Sequence, residues 1–132
     1  MRKQYYFRES PDGLLAWDVD RLVHLSREFP VRPVPLAEIR ELDERFFGDD
    51  EAPTWRSFAA HARLVQEAEL NYPIIRAADG AVMDGMHRVA KALGQGDRAI
   101  DAVQFAADPS PDYVGCRPDE LPYEPSPNDS TR

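Results

Sequence analysis

Lysine, cysteine and long apolar runs are the scarce features of this chain of 132 residues, and each scarcity excludes something. A single cysteine, Cys116, cannot close an intrachain disulfide, so a secreted disulfide framework is excluded and a reducing, cytoplasmic setting is expected. No apolar run approaches the ~18 residues of a membrane-crossing helix. Met1-Arg2-Lys3 passes directly to Gln4 and two tyrosines, without the apolar stretch and small-residue cleavage site of a signal peptide. Basic residues are outnumbered 16 to 24, for a formal charge of -8, so the chain repels phosphate backbones and broad contact with DNA is disfavoured. The excess of arginine over lysine reflects composition and does not indicate RNA binding. Three histidines and one cysteine lack the paired spacings of a zinc site, and neither Ser26 nor Ser57 lies in a Gly-x-Ser-x-Gly elbow.

What remains is one domain's worth of chain, 42% apolar, long enough to bury a core without staples. The aromatic run Tyr5-Tyr6-Phe7 before Ser10-Pro11-Asp12-Gly13 predicts a short strand entering a turn. Asp18 is placed to cap a helix carrying Val19, Leu22 and Val23 and ending before Pro30, with Trp17 as its anchor. Val31 to Leu36 holds prolines at 33 and 35, which lack ladder donors, and is expected at a sheet edge. A helical turn over 37–47, with Ile39, Leu42, Phe46 and Phe47, precedes an acidic loop over 48–53. Thr54 caps a helix expected over Trp55 to Glu69, with Trp55, Phe58, Ala62 and Val65 as its core-facing stripe. Pro73 to Arg76 and Ala81 to Met83 read as a hairpin around Asp79-Gly80, followed by a helix over Met86 to Leu93 closed by Gly94, and a strand over Ala99 to Phe105. Six of the twelve prolines lie beyond Asp108, so an extended strap or disordered tail is expected there.

The densest polar cluster is Asp84-Gly85-Met86-His87-Arg88, between a strand and a helix start. A helix N-terminus presents unpaired N–H groups with partial positive charge, and a glycine lets ligand oxygens approach the backbone, so this is a candidate anion site. Arg88 would add a bidentate fork, His87 a hydrogen bond, and Lys91 a charge one turn on. Asp84 could cap the helix, orient the basic side chains, hold magnesium or serve as a second base. The bland alternative is a solvated helix start.

The run from Val34-Pro35-Leu36-Ala37-Glu38-Ile39 through Pro73-Ile74-Ile75, Asp79-Gly80 and Asp84-Gly85-Met86-His87-Arg88-Val89-Ala90-Lys91-Ala92-Leu93-Gly94 resembles the N-terminal domain of ParB and the ParB/sulfiredoxin superfamily. The resemblance covers roughly residues 31–106. It implies a compact α+β domain over 1–106, with a small mixed sheet flanked by helices, and a proline-rich acidic tail over 107–132. It further implies nucleotide phosphate binding by Gly85, Met86, His87, Arg88 and Lys91. ParB has Gly-Glu-Arg-Arg at 85–88 and a helix-turn-helix domain downstream, which this chain does not carry after Phe105. Sulfiredoxins place their cysteine where Met86 stands, and a thioether is no thiolate nucleophile. The pattern Asp-Gly-x-His-Arg is that of free-serine kinases, which implies ATP, ADP or CTP with Mg2+ and phosphoryl transfer to a small hydroxyl compound. In that reading Glu41, or secondly Glu44, accepts the hydroxyl proton, with Asp84 and His87 assisting. Both glutamates could instead pair with Arg40 or Arg45. The rival expectation is a non-catalytic, nucleotide-responsive module that engages a protein partner.

Overall fold

The computed structural model describes residues 3–44 and 54–123. Phe46, Phe47, Arg45, the acidic loop over 48–53 and the tail from 124 lie outside them. Two small antiparallel and mixed sheets with three helices make an α+β fold. The first sheet has the order β1 (Tyr5–Arg8), β2 (Leu15–Asp18) and β7 (Tyr113–Val114). In the second the order is β3 (Arg32–Pro35), β6 (Ala99–Gln104), β4 (Ile74–Arg76) and β5 (Val82–Asp84), with β4 and β6 parallel and the other pairs antiparallel. The helices are α1 (Val19–Ser26), α2 (Trp55–Glu67) and α3 (Met86–Gly94). Among the described residues no helix is long and apolar enough to cross a membrane.

Side-chain alternation along the central strands builds the core on both faces of the second sheet. Ile75, Met83 and Val103 point to one face, where they meet Trp17, Leu22 and Phe105; their neighbours Ile74, Val82 and Ala102 point to the other, against Leu36, Ile39, Val89 and Ala92. Capping positions behave as their chemistry dictates. The Asp18 carboxylate accepts from Asp20 N at 2.9 Å, and Thr54 with Ser57 closes a capping box on α2. The proline-bearing β3 occupies an edge, where its missing donors cost no ladder bonds. Two 3-10 turns, Leu36–Glu38 and Arg40–Asp43, stand where a helical turn is expected. In the β4–β5 hairpin Gly80 has φ +91°, a left-handed backbone that L side chains rarely adopt, so the turn favours glycine for its backbone.

One expectation about the chain's exterior needs revision. Trp55 and Phe58 do not pack into the core: they are 87% and 59% exposed, because α2 turns Ser57, His61 and Val65 inward and its aromatic stripe outward. The described part of the strap beyond 106 joins the first sheet: β7 pairs with β2, and Leu121 is buried. Asp112 N donates to Ala16 O, the Asp112 carboxylate accepts from Asp18 N at 2.7 Å, and Trp17 Nε1 donates to Pro109 O at 2.8 Å. Lys3 N donates to Tyr123 O and the Tyr5 hydroxyl to Pro122 O, so residues 122 and 123 lie beside the start of β1.

Candidate functional site

The site begins at the turn from β5 into α3. Gly85 has φ +113° and ψ 19°, and a Cβ at this position would sit 2.7 Å from Ile74 Cγ2 and 3.0 Å from Arg88 Nη2. Only glycine fits here, for backbone and packing reasons alone. Gly85 is also the N-cap of α3, and no side chain caps that helix start; its carbonyl accepts from Val89 N at 3.0 Å. The N–H groups of the first turn, Met86 to Arg88, precede that first intrahelical bond.

This helix mouth faces a broad, open cleft of about 790 Å³, lined by two runs of consecutive residues, Lys3 to Phe7 at and just before β1 and Val82 to His87 at the β5–α3 turn, together with Val19 and Tyr123. Asp84, Gly85, Met86 and His87 therefore share one cavity wall. Arg88 and Lys91 face elsewhere. The Arg88 guanidinium folds back under the turn: Nη1 donates to the Tyr72 and Pro73 carbonyls at 3.0 and 3.1 Å, and Nη2 to Asp84 Oδ2 at 2.9 Å. Both side chains of that ion pair are mostly buried, 14% and 13% exposed, so the pair fastens the α2–β4 connection to the hairpin. Lys91 Nζ donates to Gln66 O at 2.9 Å and Ala68 O at 2.6 Å, which satisfies the carbonyl end of α2.

His87 packs its ring against His61 of α2, with centroids 5.9 Å apart and planes tilted by 32°. Burial, and then the charge of a protonated His61, push the His87 pKa below its ordinary value, while Asp84 pulls it upward. Near neutral pH the imidazole is thus neutral and able to donate one hydrogen bond rather than supply a full charge. Glu41 reaches the same hairpin from the second 3-10 turn. Its Oε2 accepts from Val82 N at 2.7 Å, while Oε1 is buried without a hydrogen-bond partner among the described residues. It stands beside β5, outside the cleft wall. Glu44 is exposed, and Arg40 pairs with Asp79 rather than with either glutamate.

The opposite wall carries no polar motif in the sequence. Lys3 bridges to Asp18 at 2.9 Å and Asp20 at 3.6 Å, and Tyr5 meets Tyr123 and Tyr113 edge-on at 5.4 and 6.0 Å. Burial, reinforced by Tyr113 and Asp18, holds the Tyr5 hydroxyl protonated, with its pKa pushed up to about 12. Aromatic density at 5–7 is the only local signal of that wall; strand pairing and the strap bring it to the motif. No group of three or more His, Cys, Asp or Glu side chains among the described residues is placed to hold a metal ion, and Asp84 is engaged by Arg88. No family model matches the chain, and no curated protein or solved structure matches it either.

Proposed function

We propose that the cleft binds a nucleotide through its phosphates, in a domain of the ParB/sulfiredoxin-like type. The observation that carries the reading is the α3 N-terminus, without a side-chain cap, facing a broad, open cleft. Phosphate oxygens would meet the backbone N–H groups of Met86 and His87 and the neutral His87 ring, while Tyr5 and Phe7 supply an aromatic wall within the same cavity. Arg88 acts as a positioning residue, holding the turn through Asp84 and the Tyr72 and Pro73 carbonyls. The order of strand, Asp79-Gly80 turn, strand, Asp84-Gly85 turn and helix supports the superfamily assignment.

The binding module is favoured over the kinase because the groups that would run phosphoryl transfer are occupied: Arg88 by Asp84, and Glu41 by Val82 N. One observation keeps the kinase as a second reading. Glu41 Oε1 is buried and unbonded close to β5, as a general base awaiting a hydroxyl would be. Calorimetric titration with ATP, ADP and CTP, each with and without Mg2+, tests the first reading. Saturable binding of at least one nucleotide, weakened about two- to tenfold by His87→Ala as expected for a neutral hydrogen bond, is the expected outcome. No binding of any of the three removes the proposal. Phosphorylated product from a hydroxyl amino acid, lost in Glu41→Gln, would establish the kinase instead.

A further inference from the structure

No residue of α2 is buried, and among the described residues α3 is the one element against which this helix lies at length. Its inward side is Ser57, His61 and Val65, spaced four apart and half-buried. The middle one of these sets its imidazole against the His87 ring, 5.9 Å between centroids. A second tie lies at the far end, where Lys91 Nζ holds the Gln66 and Ala68 carbonyls. There the chain leaves the helix at Ala68, whose φ of -62° and ψ of 142° are extended, and Leu70 packs against the core. The helix is thus anchored at its C-terminal end and fastened at its middle by a contact between two titratable rings.

We propose that the His61–His87 contact is a pH-sensitive latch: with the rings neutral α2 lies docked on α3, and with both protonated it is released and pivots about the connection at 67–70. Two imidazolium rings at this separation repel, and their half-buried setting adds a desolvation cost. The surrounding charges do not offset this. On β5, Asp84 Oδ2 already takes Arg88 Nη2 at 2.9 Å. Arg88 and Lys91 on α3 add positive charge, and on α2 the Arg63–Glu67 pair stands on the exposed side. Across the cleft Lys3 is paired with Asp18 and Asp20, and the Tyr5 hydroxyl stays protonated. Burial and then His61 hold the His87 pKa below its ordinary value against the pull of Asp84, so protonation favours the undocked helix. Docking is therefore complete above the ordinary value near 6.5 and is lost as pH falls through the lower docked value. A released helix of 13 residues is marginal in water, so undocking also frays it. Because His87 lines the cleft, release alters that wall, yet the latch stands whether or not a nucleotide binds there.

Hydrogen exchange of the full chain, followed amide by amide and referred to intrinsic rates at each pH, reads the docking directly. Between about pH 8 and about pH 5, protection over 59–65 should fall by roughly three- to a hundredfold, the range that two charges near 6 Å give at effective dielectric constants between ~80 and ~20. Protection in the central strand β6 should stay above that of α2 throughout, since the core remains folded. His61→Phe and His61→Gln each remove one of the two charges, and protection of α2 in either should vary with pH by less than about twofold. Protection of α2 that is level across the range in the parent overturns the proposal, as does loss in step with β6, which is global unfolding. So does the parent's pH profile persisting in both variants. Variants whose α2 is already unprotected at about pH 8 would show that ring packing rather than charge holds the helix, and would equally overturn it.

Discussion

Replacing Gly85 with alanine separates two meanings of one glycine. If the residue is there to let a ligand approach the backbone, Gly85→Ala costs affinity and leaves the fold alone. The geometry instead predicts a fold defect. At φ +113° an L-residue is held outside its comfortable regions, at a cost of about 1–3 kcal/mol, and the new Cβ would stand 2.7 Å from Ile74 Cγ2, adding about 1–3 kcal/mol of overpacking. The sum, about 2–6 kcal/mol, is a large part of the ~5–15 kcal/mol that domains of this kind possess. With a urea slope of ~1–3 kcal/mol/M, the unfolding midpoint should fall by about 1–3 M. Ile74→Leu removes the branch that the Cβ strikes, so the double variant should lose less than the sum of the two single changes. A midpoint within ~0.3 M of the parent would refute the steric reading and return Gly85 to a purely ligand-facing role.

Arg88→Ala should lower stability by about 3 kcal/mol, measured by urea unfolding, because it removes a mostly buried ion-pair partner of Asp84 together with the donors to two carbonyls; Asp84→Ala should cost a comparable amount. His87 has its folded-state pKa lowered, so protonation favours the unfolded chain. Its contribution is fully present above the ordinary value near 6.5 and is lost as pH falls through the lower folded value. The urea midpoint of the parent should therefore drop more steeply than that of His87→Gln on acidification, and parallel pH profiles would count against the buried neutral ring. Lys91→Met releases the Gln66 and Ala68 carbonyls, and hydrogen exchange should quicken by about tenfold in the last turn of α2 while α3 is unchanged.

Local chemistry was legible wherever a residue acts on its own neighbours. Asp18 and Thr54 cap the helices they precede, the prolines at 33 and 35 keep β3 at an edge, and Asp79-Gly80 turns the hairpin. Periodicity announces that α2 has an apolar stripe but does not say which body the stripe faces, and here His61 and Val65 take the inward side from Trp55 and Phe58. Proline counts mark the segment after 106 as extended, but the pairing of Tyr113 and Val114 with Leu15 and Ala16 depends on partners about a hundred positions away. Of the motif, Asp84 to His87 line a cavity, whereas Arg88 and Lys91 are drawn off by carbonyl groups of the α2–β4 connection, which no spacing rule could reveal. The facing wall, Lys3 to Phe7, is brought to the motif by strand pairing and the strap, with only its aromatic density visible locally.

Asp108 answers to both layers at once. One oxygen accepts from Ala78 N in the β4–β5 hairpin at 2.8 Å, and the other takes Arg8 Nη1 at 3.0 Å from the end of β1. A single carboxylate thus works as a spacer bar between the two sheets whose edges frame the cavity. That joint lies away from anything a ligand in the cleft would touch, and it reinforces at the rim what the shared apolar cluster of Trp17, Leu22, Ile75, Met83 and Val103 already joins beneath.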